Sequence, residues 1–158
     1  MNLTPRLFVM LAAGGSLALL LGAFAFQHLG GLAPCKLCIW QRYPHAVAIV
    51  LGALVLFVPA PALIALGAMA ALATAGVGGY HVGVEQGWWQ GPTSCTSTGT
   101  GGMNADALFD QIMAAPLIRC DDIAWEFAGL SMAGWNMVLS LGFAVLWIAA
   151  LRVRPISA

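Results

Sequence analysis

Leu7 to Phe26 is a run of 20 residues without one charged side chain. A helix needs roughly 20 predominantly apolar residues to cross the hydrocarbon core of a bilayer, so this run is a transmembrane candidate as it stands. Three more runs follow. Tyr43 to Val58 stops at the Pro59-Ala60-Pro61 turn, Ala62 to Tyr80 is again uncharged, and Met132 to Leu151 ends at Arg152 and Arg154. Composition agrees with that placement: 61% of the 158 residues are apolar and 8% are Asp, Glu, Lys or Arg. A soluble domain carries about 25% charged residues, and six basic plus six acidic side chains cannot cover a surface of this size. The same figures exclude disorder. A net charge of zero offers no electrostatic footprint for nucleic acid.

The expected fold is an all-α membrane protein, a single four-helix transmembrane bundle over 1–158, with loops at about 27–42 and 81–131. Both termini then lie on one side. The Pro59–Pro61 link is short enough to make the second and third spans an antiparallel hairpin. Small residues at four-residue spacing promote close helix packing in lipid. Gly14, Ala18 and Gly22 form one such row, and Gly67, Ala71, Ala75 and Gly79 another. Both are expected to be packing seams. The first span has a competing description as a cleaved signal peptide, since Arg6 precedes it and Ala23-Phe24-Ala25 fits a small-x-small site. Its length favours a span.

Lys and Arg bias does not orient the bundle, because Arg6, Arg152 and Arg154 oppose Lys36, Arg42 and Arg119. The cysteines do better. Cys35, Cys38, Cys95 and Cys120 all fall in segments opposite the termini, and all six acidic residues fall in the second of those segments. If the cysteines work as disulfides, their side is oxidising, hence periplasmic, and the termini are cytoplasmic. Four buried or metal-bound thiols would leave the orientation open. Within the second loop, Leu108, Phe109, Ile112 and Met113 share one face of a short helix between Asn104 and Pro116, expected in the membrane interface or over the bundle mouth. Thr93 to Gly102 is Gly/Ser/Thr-rich around Cys95. Trp88, Trp89, Trp125 and Trp135 are expected in the interfacial belt, and Glu85 on a solvated loop face.

Cys35-Lys36-Leu37-Cys38 is a C-x-x-C, which supports several chemistries. A c-type haem site needs His after the second cysteine, where Ile39 stands. Zinc prefers a second close pair, whereas Cys95 and Cys120 are 25 positions apart. Redox chemistry is the best remaining reading. Pro34 can start a helix there, and a helix N-terminus stabilises thiolate. Arg42 lies four residues beyond Cys38, on the same face of a helix, where a guanidinium favours thiolate and can hydrogen-bond an oxidant. Pro44 either kinks that helix or marks its start. No dinucleotide fingerprint is present, so a lipid-soluble electron acceptor such as a quinone fits best.

The combination of Pro34 to Arg42, Tyr80-His81, Cys95, and Cys120 followed by Trp125-Glu126-Phe127-Ala128-Gly129-Leu130 resembles the DsbB family of bacterial inner-membrane thiol:quinone oxidoreductases, over nearly the whole chain. The resemblance implies Cys35–Cys38 and Cys95–Cys120 as the redox pairs. It implies a DsbA-like periplasmic thioredoxin-fold oxidase as electron donor and ubiquinone or menaquinone as acceptor. The donor's thiolate would attack Cys95. Cys120 would then attack Cys35, and Cys38 would leave as thiolate and reduce the quinone beside Arg42. His81 is implied near the quinone. Gln41 stands where some relatives carry an acidic residue, and the Gly-rich stretch after Cys95 departs from the family's form. A donor at about −120 mV requires an acceptor of higher potential. Two other classes stay open at this point: a structural tetraspan stapled by loop disulfides, and a b-type haem carrier using His28, His45 and His81.

Overall fold

A computed structural model describes residues 4–92 and 119–153. Four long helices dominate it: α1 Pro5–His28, α2 Lys36–Phe57, α3 Pro61–Glu85 and α4 Met132–Arg152. Each is long and apolar enough to cross a membrane. Neighbours in the chain pack against one another, and α1 closes the ring on α4. The chain ends of α1 and α3 therefore meet the starts of α2 and α4 at one end of the bundle. Leu11, Leu21, Val50, Met69 and Val145 are exposed on the outer faces. That inverts the arrangement of a soluble protein, as lipid contact requires.

Local signals explain the helix ends. Thr4 caps α1 through a hydrogen bond from Leu7 N, and Pro5 occupies the first turn, where a missing N–H costs nothing. Pro61 does the same for α3. The Ser131 hydroxyl accepts from Gly134 N and caps α4. Cys35 caps α2, its Sγ accepting from Cys38 N at 3.2 Å. The helices run past the apolar stretches at the cysteine end. Instead of starting near Tyr43, α2 begins at Lys36 and holds Pro44 in its interior. Likewise α3 continues beyond Tyr80 to Glu85.

Between Trp125 and α4 a two-residue hairpin pairs β1, Glu126–Phe127, antiparallel with β2, Leu130–Ser131. Its turn residues Ala128 (φ 52°) and Gly129 (φ 78°) are both left-handed, as a tight primed turn demands. The turn returns the chain so that Met132 N reaches Trp125 O at 3.2 Å.

Only one of the two small-residue rows packs as expected. Gly67, Ala71 and Ala75 are buried on α3, and Gly79 touches Met137 of α4. Trp147, with no exposed surface, lies flat over Gly67: a Cβ there would come within 2.6 Å of the indole. On α1, in contrast, Gly14 and Ala18 are exposed, and the buried stripe is Val9, Ala12 and Ser16. Spacing alone does not say which face of a helix meets a neighbour. Gly67→Leu is expected to destabilise the bundle by about 1–3 kcal/mol through overpacking. Thermal unfolding in detergent, compared with Gly76→Leu on a face with no neighbour within 4 Å, measures the difference.

Candidate functional site

Cys35 and Cys38 sit on the first turn of α2, with both sulfurs on one side. Their Sγ atoms lie 2.9 Å apart, the Cys35 thiol donating to Cys38. That hydrogen bond, reinforced by burial, pushes the Cys35 thiol far up from its ordinary value. Cys120 is buried against the same cluster as Cys35, Leu37 and Val84, with Cys38 packed onto it. Three of the four cysteines thus converge at one end of the bundle. Cys95 and the expected short helix after Asn104 lie outside the described residues.

A cavity of about 400 Å³ opens between α1, α2, α4 and the hairpin. Small-molecule sites occupy about 300–1,000 Å³, with apolar walls and a few placed polar groups. Here Leu19, Phe26, Trp125, Phe127 and Leu139 form much of the apolar wall. Cys38, Gln41, Arg42, His45 and Asn136 supply the polar lining. Trp125 and Trp135 are thus cavity walls, not simply belt residues. The Trp135 indole N–H donates to Phe127 O at 2.9 Å and holds the hairpin over this side.

Arg42 is fixed from α1. Its Nη1 donates to Gln27 Oε1 at 2.6 Å, and the guanidinium lies 4.9 Å from the centre of the Phe24 ring. Arg42 Nε is buried and has no partner among the described residues. His45, left without a role by sequence, is 3% exposed and stands on the same cavity wall. Its Nε2 pairs with Asn136 Oδ1 at 2.8 Å, and Asn136 Nδ2 donates to Thr74 Oγ1 at 3.2 Å. Thr74 Oγ1 in turn donates to Gln41 O at 3.1 Å. This chain orients the Asn136 amide, so His45 Nε2 carries the proton and Nδ1 presents a lone pair. No described residue meets that Nδ1. Arg42 and His45 thus share the wall of one apolar cavity with Cys38, each with a buried nitrogen that has no partner among the described residues.

His81 lies elsewhere. It lines a smaller pocket of about 240 Å³ with Cys35, Cys38, Glu85, Arg119 and Asp122, and does not line the large cavity. Its Nε2 is 3.6 Å from Cys35 Sγ and 3.8 Å from Glu85 Oε1, while Gln41 Nε2 meets Nδ1 at 3.0 Å. Glu85 is not on a solvated face. Its side chain is 5% exposed and accepts a short hydrogen bond from the Ser131 hydroxyl, tying α3 to the start of α4. At the pocket mouth the Arg119 guanidinium holds the Asp121 carboxyl below its ordinary range. The three histidines do not converge: His28 stacks on Phe24, while His45 and His81 belong to different pockets.

Sequence reasoning missed His45, Asn136, Thr74 and Glu85. Polar residues inside or at the ends of apolar spans were the available signal, since such residues face the bundle interior and pair with one another.

Comparison with known proteins covers the same ground. The disulfide bond formation protein B of Aromatoleum aromaticum is 36% identical over 85% of this chain and 93% of its own. That of Polaromonas naphthalenivorans is 35% identical, covering 94% and 90%. That of Albidiferax ferrireducens is 34% identical, covering 95% and 87%. No solved structure matches the chain. The family model described as "Disulfide bond formation protein DsbB" matches residues 5–150, a stretch that begins with α1 and takes in the dithiol, both pockets and nearly all of α4. With relatives of that name aligned almost end to end, this multi-pass membrane chain belongs to the DsbB family and is a redox protein of disulfide bond formation.

Proposed function

We propose that the chain oxidises a soluble periplasmic dithiol protein, a DsbA-like thioredoxin-fold oxidase, and passes both electrons to ubiquinone or menaquinone in the bacterial inner membrane. The cysteine end then faces the periplasm and both termini face the cytoplasm. One observation carries the proposal: Cys38 and Arg42 share the wall of an apolar cavity in the membrane-spanning bundle. A quinone bound there supplies a two-electron, two-proton acceptor.

The remaining chemistry falls to the chain's own residues. Cys95 takes the attack of the donor's thiolate, and Cys120 leaves. Cys120 then attacks Cys35, with which it is already buried in one cluster. Cys38, released as the leaving sulfur, faces the cavity. Arg42, on the cavity wall beside Cys38, would orient the acceptor and balance negative charge on Cys38. His45, on the same wall, would accept a hydrogen bond from a hydroxyl of the reduced product, which keeps its proton. The donor's second thiol then displaces Cys95 from the mixed disulfide. Cys95 recloses on Cys120 and frees Cys35, and Cys35 and Cys38 re-form their disulfide as the acceptor gains two electrons and two protons. The net change is one donor dithiol oxidised to a disulfide and one quinone reduced to quinol.

The test mixes the full chain in detergent with excess reduced donor oxidase and a water-dispersed ubiquinone analogue. Quinone absorbance should fall in step with donor thiols, over many turnovers per chain. Donor thiols lost without quinone consumption would overturn the proposal.

A further inference from the structure

We propose that the reduced dithiol end of the bundle is also a binding site for a soft divalent cation of the zinc and cadmium class, held by Cys35, Cys38 and His81. The sequence argued against zinc because Cys95 and Cys120 are far apart, but the fold brings in a different third donor. One donor atom from each of Cys35, Cys38 and His81 lies within 4.8 Å of the other two. Tetrahedral zinc, with Zn–S about 2.3 Å and Zn–N about 2.0 Å, sets its donors about 3.5–3.8 Å apart. Cys35 Sγ and His81 Nε2 are already 3.6 Å apart. The two sulfurs, at 2.9 Å, need to open by less than about 1 Å, a side-chain rotation.

The surroundings complete the case. A metal-ligating histidine usually offers its other ring nitrogen to an oriented acceptor. Gln41, 6% exposed, holds His81 Nδ1 at 3.0 Å. As it stands the Gln41 amide nitrogen faces Nδ1; on metal binding the amide turns, Oε1 accepts a hydrogen bond from Nδ1–H, and the Nε2 lone pair is free for the cation. Glu85 Oε1, 3.8 Å from the same Nε2, stands near for a fourth position, and the smaller pocket is an entry path. Two thiolates and an imidazole select zinc or cadmium over magnesium and calcium. Binding exchanges two thiol protons for one cation and moves no electrons. A bound cation keeps the two sulfurs from forming a disulfide, so the site is inhibitory. It requires only reduced thiols and holds whatever the electron acceptor is.

Titration of the chemically reduced full chain with cadmium chloride, read by thiolate-to-cadmium absorption in the ultraviolet, tests the site. One ion should bind per chain, in wild type and in Cys95→Ser/Cys120→Ser alike. His81→Ala should weaken binding more than about tenfold, and His81→Cys, which restores a donor, should recover it. The disulfide form should not bind. Absence of the absorption in reduced wild type, or its loss in Cys95→Ser/Cys120→Ser, would overturn the proposal. Equal affinity in His81→Ala, or no recovery in His81→Cys, would remove His81 from the ligand set and overturn it as well.

Discussion

Cys38→Ser is expected to end quinone reduction while leaving one stoichiometric round of thiol oxidation. In this variant Cys35 has no disulfide partner, so Cys120 has nothing to attack. The proposed Cys95–Cys120 disulfide is untouched and still accepts two electrons from a reduced donor. With donor in excess, alkylation of its thiols should show one equivalent oxidised per chain, followed by a stop. Quinone absorbance should not change. No other described cysteine lines the large cavity, so no second thiol replaces Cys38 there. Cys35→Ser should also stop turnover, although it keeps a sulfur at the cavity wall. Continued quinone consumption in Cys38→Ser would show that electrons leave by another route.

Arg42→Met is expected to raise the quinone KM by about 10–100-fold. The substitution keeps an unbranched stem and removes the guanidinium that Gln27 and Phe24 hold in place. Hydrogen bonds to charged groups contribute about 1.5–3 kcal/mol, and each 1.4 kcal/mol is a factor of ten. Arg42→Lys restores charge without the planar fork and should fall between the two. His45→Leu removes a neutral acceptor and should cost no more than about tenfold. Single-round oxidation of the donor by Cys95–Cys120 should be unaffected in all three. Steady-state rates across a quinone concentration series check the order. An unchanged KM in Arg42→Met would detach Arg42 from the cavity's ligand.

The membrane class and the four spans were legible because uncharged runs of this length have one stable solution in lipid. The start of α2 was not. Lys36, Gln41, Arg42 and Pro44 interrupt the apolar pattern, yet the helix runs through them, and partners on other helices satisfy two of the polar ones. Gln27 takes Arg42, and His81 takes Gln41. The pairing of Cys38 with Arg42 on one face followed from four-residue spacing. The split between the two pockets did not, because it depends on where α3 presents His81 and Glu85. Glu85 was misplaced for the same reason. Its partner Ser131 is 46 positions away, and only the closed bundle brings them together. The hairpin carried a sequence signal in Ala128-Gly129, but a two-residue strand is too short to show alternation.

Cys38 lines both pockets, the apolar one with Arg42 and the smaller one with Cys35, Glu85 and Asp122. On the proposed function it is the conducting point in a partition between them. A freely diffusing quinone would oxidise thiols indiscriminately and lose its electrons to whatever reached it first. On the proposed function, the only route between the aqueous and lipid compartments is a sulfur that must first be released by its neighbour. The bundle is therefore an insulator as much as a catalyst. It prevents a short circuit between two pools that would otherwise react without regard to which protein needs a disulfide.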